Sequence, residues 1–304
     1  MNGQRTLLEE LKYQLKFGGT HIQLLFINAL VFVFIGLITV IGRLTNLEEV
    51  TQQVLARVFT LDTNMNGFFK SPWTIVTSIF AHFSFLHFLS NMLFLYFSGS
   101  MFIQFFTGRR LLHVYVLGGI VGGIFELLAH ALFPAFADPI IQTVIVGASG
   151  SIMAIFVAMV FYRPNLQVNL FGILPVRLIV IAGFYILYDV LSIGAKDNIA
   201  HFAHIGGIVI GYLSIRNIHS SKNIINFSEK KTQTIRLFVA NIGKKSPKMK
   251  VEKGGKRVKT DEEYNLEAKQ KQVAIDKILE KISKSGYESL TKKEKDFLFS
   301  QSNK

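Results

Sequence analysis

A serine stands in Val146-Gly147-Ala148-Ser149-Gly150-Ser151 and a histidine in Ala203-His204-Ile205-Gly206-Gly207, each within an apolar stretch of the chain. Polar side chains inside a bilayer are costly unless paired or facing water, so they point to function. Serine is a weak nucleophile at its own pKa; His204 would act as its general base and then as acid for the leaving group. A third segment, Ala81-His82-Phe83-Ser84-Phe85-Leu86-His87-Phe88-Leu89-Ser90-Asn91, sets His87 and Asn91 four residues apart on one helix face. Together with the Ser149 backbone N–H, these two side chains are suited to donate to the oxyanion of a tetrahedral intermediate. The chemistry that these residue types specify is nucleophilic hydrolysis. Gly147 and Gly150 carry no side chain to obstruct a substrate or a neighbouring helix. Gly207 and Gly211 form a small-xxx-small ridge below His204, which would bring the histidine helix close to the serine helix.

The elements that must position these residues are transmembrane helices. Half of the 304 residues are apolar and 28 are Phe, and mean hydropathy is +0.38, which is too oily for a soluble chain of this size. A hydrocarbon core of about 30 Å requires roughly 20 apolar helical residues, and six apolar stretches, near 22 to 42, 83 to 105, 111 to 133, 147 to 162, 176 to 194 and 199 to 217, are the candidates. The fourth is short, which fits a helix starting below the outer surface from a loop buried by protein. The fold class expected is all-α: a polytopic membrane protein, a bundle of six transmembrane helices with a small helical tail. At about 1.5 Å per residue, His87, Ser149 and His204 fall within roughly 10 Å of one another in depth, in the outer leaflet. Arg109 and Arg110 follow the second span, Arg163 and Arg177 lie between the fourth and fifth, and a Lys-rich tail follows the sixth, whereas the loop from Pro134 to Ile145 has no Lys or Arg. The positive-inside rule therefore puts both termini in the cytosol and the loop 43 to 75 outside. Zero cysteines exclude disulfides and thiolate metal sites.

Four segments follow: an amphipathic N-terminal helix in 1–21, a six-span catalytic domain in 22–217, a basic linker in 218–260 and a cytosolic helical hairpin in 261–304. Thr6-Leu7-Leu8-Glu9 reads as a capping box that starts a helix ended by Gly18-Gly19, and Thr291-Lys292-Lys293-Glu294 as a second one. Residues 222 to 304 hold 21 Lys or Arg against 11 Asp or Glu, +10 of the net +13. Anionic lipid accounts for this basicity, so no nucleic-acid partner is expected. The stripe Ile275, Ile278 and Ile282 could recruit a cytosolic partner.

The ordered set His87-x-x-x-Asn91, Gly147-Ala148-Ser149-Gly150 and Ala203-His204-x-x-Gly207, on the second, fourth and sixth spans, resembles the rhomboid family of intramembrane serine proteases. The resemblance covers residues 22 to 217. It implies Ser149 as nucleophile, His204 as base, His87 and Asn91 as oxyanion donors, a half-buried first loop, the fifth helix as gate for substrate helices, and no cofactor. The implied activity is endoproteolysis of transmembrane segments near the extracytoplasmic interface, in a bilayer expected to be the bacterial inner membrane. The tail resembles a small module that follows some rhomboids. Thr74 after Trp73, Gln104 at the inner end of the second span and Met153 four residues after the serine depart from the family pattern.

His82 and His201 read as structural. Four histidines raise a metal site, but no His-Glu-x-x-His occurs, and none is expected. Asp189 lies at a depth comparable to His204, yet the resemblance implies a dyad, so its role is expected to be minor. Glu126 has no partner legible in sequence and is expected to make a structural hydrogen bond near water. The reading from another class is a catalytically silent rhomboid-like protein that binds membrane clients, for which Ser149, His204 and Asn91 would be superfluous.

Overall fold

The computed structural model describes residues 6–136, 144–170, 173–195, 199–241 and 261–302. The chain divides into two compact units, Met1–Ile242 and Gly243–Lys304. The first opens with α1 (Leu7–Phe17), whose Thr6–Glu9 capping box is formed in both directions and whose C-cap is Gly18. After it come α2 (Thr20–Leu44), α3 (Glu48–Phe59), β1 (Leu61–Asp62) and the short helices α4 (Met65–Lys70) and α5 (Thr74–Thr77). Then follow α6 (Phe85–Phe102), α7 (Gly108–Leu132), β2 (Val144–Ile145), α8 (Ser149–Tyr162), the hairpin β3 (Gln167–Leu170) and β4 (Leu174–Arg177), α9 (Leu178–Leu191), α10 (His201–Ile215) and α11 (Ile224–Asn241).

Helices α2, α6 and α7 are long and apolar enough to cross a membrane, and α8, α9 and α10 are shorter apolar helices. All six occupy the apolar stretches that hydropathy marks. Strand is the departure from an all-α fold: β1 pairs antiparallel with β2, and β3 with β4. These strands are two to four residues long, too short for a period-2 pattern to declare itself.

Helix α8 is the axis of the bundle. Ile152 to Met159 are at most 1% exposed, packed between α6, α7 and α10. Such density needs small residues, because helices in lipid associate by close van der Waals contact rather than by a hydrophobic drive. A Cβ on Gly206 of α10 would fall 2.7 Å from the Gly122 Cα of α7, so these backbones touch. Helix α2 instead turns Leu30, Val33, Leu37 and Leu44 outward, as a lipid-facing helix does. Its buried Asn28 donates to the Leu24 carbonyl at 2.8 Å and to the Tyr115 hydroxyl of α7 at 3.1 Å; that hydroxyl donates to the Ile79 carbonyl at 3.0 Å.

The loop expected outside, 43 to 75, is largely helical, and it buries Leu55, Leu61, Thr63 and Thr74 while most of its other residues are exposed, so it is less buried than the resemblance implies. Leu55 of α3 packs with Ile35 and Ala81, and Trp73 Nε1 donates to the Arg57 carbonyl at 3.0 Å. Thr74 is buried, with its hydroxyl on the Ser71 carbonyl at 2.6 Å.

Of the stretch read as a linker, residues 224–241 form α11 within the first unit, and 242–260 lie outside the described residues, as do 137–143 of the loop before the serine. Arg110, counted in sequence as a loop charge, is buried at the start of α7. Its guanidinium donates to Asn226 Oδ1 at 2.8 Å, Asn223 Oδ1 at 3.1 Å and the Ser214 carbonyl. Asn223 in turn donates to the carbonyls of Leu213, Ser214 and Arg216 at 2.9–3.2 Å, satisfying the open C-terminal end of α10.

The second unit is α12 (Asp261–Ser285), a 3₁₀ turn and α13 (Lys292–Ser302). Ile278 and Leu290 are buried, so the isoleucine stripe is spent at Ile278 inside the chain's own packing. Glu294 accepts from the Thr291 N–H at 2.7 Å, from its hydroxyl at 2.8 Å and from Lys281 Nζ at 3.0 Å. Its pKa is pulled down to about 2, first by the Thr291 amide and then by Lys281.

Candidate active site

Ser149 is the first residue of α8. The chain reaches it through β2 and Gly147, whose φ of +126° is a conformation that side chains disfavour. The Gly147 N–H donates to the Ser78 carbonyl at 3.0 Å, next to Ile79, which Tyr115 holds. The serine loop is thereby tied to the core. A Cβ at Gly147 would fall 2.7 Å from His87 Cε1, so the His87 ring lies directly over this loop.

Helices α8 and α10 meet where the small residues predict. A Cβ on Gly207 would fall 2.2 Å from the Gly150 carbonyl oxygen, one on Gly150 would fall 2.9 Å from the Ala203 carbonyl oxygen, and one on Gly211 would fall 2.7 Å from that of Ala154. Ser149 and His204 are thus the sequence neighbours of two residues in backbone contact, Gly150 and Ala203. His204 is buried and Ser149 is half-buried.

On α6, Asn91 is buried and spends one amide N–H on the His87 carbonyl at 2.9 Å, leaving its second donor free of that bond. His82 is fully buried, edge-on to His87 at 5.2 Å between centroids and to Phe88 at 5.6 Å, and so buttresses the His87 ring. Gln104 is exposed at the other end of the helix, bonded to the Ser100 carbonyl at 3.2 Å.

Two residues of α9 carry more than sequence reasoning allowed them, and Glu126 makes a structural hydrogen bond, as expected, with a partner that the sequence did not name. Asp189 of α9 places Oδ1 2.8 Å from His204 Nδ1 and 2.8 Å from His201 Nδ1. Tyr185, one turn earlier on α9, brings its ring to 6.2 Å from that of His204, so the aromatic neighbour that Met153 does not provide arrives from a different helix. Glu126 of α7 accepts the Ala203 N–H at 3.0 Å. The N-cap of α10 is Ala200, which has no capping side chain, and Glu126 supplies the acceptor from across the bundle. The signal for Tyr185 and Asp189 was periodic: with Leu178 and Ala182 they repeat at helical spacing along one face. Among the described residues, Asp189, His201 and His204 also form a cluster whose donor atoms could approach a metal ion.

Residues 70–220 match the family model of the Rhomboid domain. Through that domain the chain belongs to the rhomboid family. Residues 259–304 match a family of unknown function, DUF6576. A RHOMBOID-like protein 12, mitochondrial, from Arabidopsis thaliana is 32% identical over 187 residues, covering 56% of this chain and 55% of that protein. A Rhomboid-like protease 5 from Toxoplasma gondii is 24% identical over 173 residues, 55% of this chain and 19% of that one. The chain spans about half the length of the first relative and about a fifth of the second. With a rhomboid domain and helices long enough to cross a bilayer, it is an integral membrane protein. The expected bacterial inner membrane draws no support from these relatives, the Arabidopsis protein being mitochondrial.

Proposed function

We propose that this rhomboid is an intramembrane serine endopeptidase that cleaves transmembrane segments of membrane proteins near the extracytoplasmic interface. The observation that carries the reading is the junction of α8 and α10, where glycine contacts bring the residues beside Ser149 and His204 together while Asp189 holds the far nitrogen of the imidazole. Ser149 Oγ attacks the scissile carbonyl as His204 Nε2 takes its proton. The oxyanion is met by the Ser149 N–H, Asn91 and His87, and the protonated His204 returns its proton to the leaving amine. His204 next deprotonates the water that hydrolyses the acyl-serine. A substrate helix must unwind before its carbonyl can reach Ser149, so small or helix-breaking residues at the cut site are preferred.

In this reading α2 and α6 to α10 are the six spans, both chain ends lie on one face of the membrane, and α9 is the lateral gate. The substrates are membrane-embedded proteins and no cofactor takes part. The test is cleavage of a transmembrane reporter in detergent. Wild type is expected to cut, and Ser149→Ala and His204→Ala to be inactive while folded. Near-wild-type cleavage by Ser149→Ala refutes the serine mechanism, and no cleavage or serine labelling in any variant favours the silent, client-binding alternative.

A further inference from the structure

Asp189 is the one strongly acidic group on α9, and that helix otherwise buries only Leu178 and Ala182. Phe184, Leu187, Tyr188 and Leu191 are all more than half exposed. A carboxylate at 3% exposure on so thinly anchored a helix is costly unless it is paired. Its partners are His201 and His204 of α10, each at 4% exposure, and both Nδ1 atoms lie 2.8 Å from the same oxygen, Oδ1. An ionised carboxylate only accepts hydrogen bonds, and each of its oxygens has room for two donors. Both imidazoles therefore carry their proton on Nδ1. That choice of tautomer leaves the lone pair of His204 on Nε2, on the side of the ring away from Asp189.

The same three groups could be read as metal ligands. Ligand atoms about a tetrahedral zinc, at about 2.0–2.1 Å from the ion, stand roughly 3.3 Å apart. The two 2.8 Å separations are those of hydrogen bonds.

We infer that Asp189 is a positioning residue, borne on α9, that fixes the tautomer and ring orientation of His204, with His201 as a second donor to the same oxygen. The inference rests on the serine-protease reading for its kinetic consequence but not for its geometry. In the Asn variant the amide can turn its NH₂ toward the rings, which forces Nδ1 to accept and moves the proton onto Nε2, where it blocks the base. Even when the amide oxygen faces the rings, no negative charge remains to stabilise the imidazolium formed during the reaction.

The experiment pairs reporter cleavage with nitrogen-15 NMR of selectively histidine-labelled full-length protein in detergent. Besides His113 and His130, whose Nδ1 atoms stand 2.8 and 3.1 Å from backbone carbonyls, wild type is expected to show two further imidazoles protonated at Nδ1, those of His201 and His204, and His201→Gln to leave only that of His204 of this pair. Asp189→Asn is expected to abolish that signature and to lower kcat by about 10²–10⁴-fold with KM little changed. Cleavage by Asp189→Asn within a few-fold of wild type, or unchanged Nδ1 signals in it, overturns the inference. Should Asp189→Asn not fold, Asp189→Glu decides: it is expected to keep Nδ1 protonation with reduced kcat, and full kcat with that protonation lost overturns the role. A shift of both histidine signals by added zinc in wild type, absent from Asp189→Asn, makes the cluster a metal site and likewise overturns it. If wild type cuts no reporter but its Nδ1 signature is present and is lost in Asp189→Asn, the tautomer assignment stands and the protease reading alone fails.

Discussion

Substituting Gly207 by Ala tests whether the contact between α8 and α10 sets the geometry of the site. The added Cβ would fall 2.2 Å from the Gly150 carbonyl oxygen, 3.1 Å from its carbonyl carbon and 3.2 Å from Met153 Cβ. A carbon-to-oxygen contact relaxes to roughly 3.3 Å, so the two helices must part by about 1 Å at this level. The obstacle is backbone in the buried stretch of α8, Gly150 to Val160, and it cannot swing aside as a side-chain tip would. Gly207 lies one turn below His204, and Gly150 follows Ser149, so the separation passes directly into the distance between nucleophile and base. A misplacement of about 1 Å at reacting groups costs on the order of 10²-fold in rate, or about 2.7 kcal/mol in the barrier. Overpacking of this kind also costs roughly 1–3 kcal/mol of stability. Reporter cleavage and thermal unfolding in detergent, measured on the same preparation, should both fall. Gly183→Ala is the control: that glycine is also inside a helix, but its Cβ meets nothing within 4 Å, and its cleavage and melting should match wild type or improve slightly. Wild-type cleavage by Gly207→Ala would refute the argument that this contact sets the site, and lowered melting with unchanged kcat would break the step from packing to rate.

Other positions give further tests. Glu126→Gln keeps an acceptor for the Ala203 N–H and should melt near wild type, whereas Glu126→Leu leaves the start of α10 uncapped and should lose about 1 kcal/mol, measured by thermal unfolding in detergent. Truncation after Asn241 should leave reporter cleavage in detergent within a few-fold of full length, while truncation after Ser220 removes Asn223 and Asn226 from the Arg110 network and should lower both melting temperature and activity. Because the Glu294 pKa is about 2 when folded and about 4.3 when unfolded, its contribution is complete above the unfolded value and fades as pH falls toward 2. Circular dichroism of a 259–304 fragment should lose helix across that window, and Glu294→Gln should flatten the change.

The apolar helices and both capping boxes were legible because each is a local pattern, a run of hydropathy or an S/T-x-x-E spacing. The order of motifs on the second, fourth and sixth apolar stretches was legible for the same reason. Illegible was whatever depends on which helices are neighbours. Asp189 looked minor in a one-dimensional reading, since depth along a span says nothing of the direction it faces; in three dimensions it is bonded to two histidines. Glu126 had no partner in sequence because its partner is a backbone N–H on a helix 77 residues away. Residues 224–241 read as part of a basic linker by charge, while Ile225 is fully buried in the bundle core and Thr232 lies 3.2 Å from His113 of α7.

Those contacts share a logic centred on α10. This helix buries Ala203, Gly206, Gly207 and Gly211 along its contact faces, a nearly smooth surface on which van der Waals packing discriminates weakly between rotations and heights. Directional bonds remove that freedom. Glu126 fixes its first turn from α7, Asp189 fixes the first-turn histidines from α9, and Arg110 with Asn223 fixes its last carbonyls from α7 and the start of α11. Each bond requires a polar group buried in an apolar bundle, an arrangement that packing alone does not favour. Its benefit is orientational: the proposed base is held in rotation by one anchor, in height by a second and in tautomer by a third. Of these anchors, only Asp189 sits on α9, the helix proposed to move when a substrate enters.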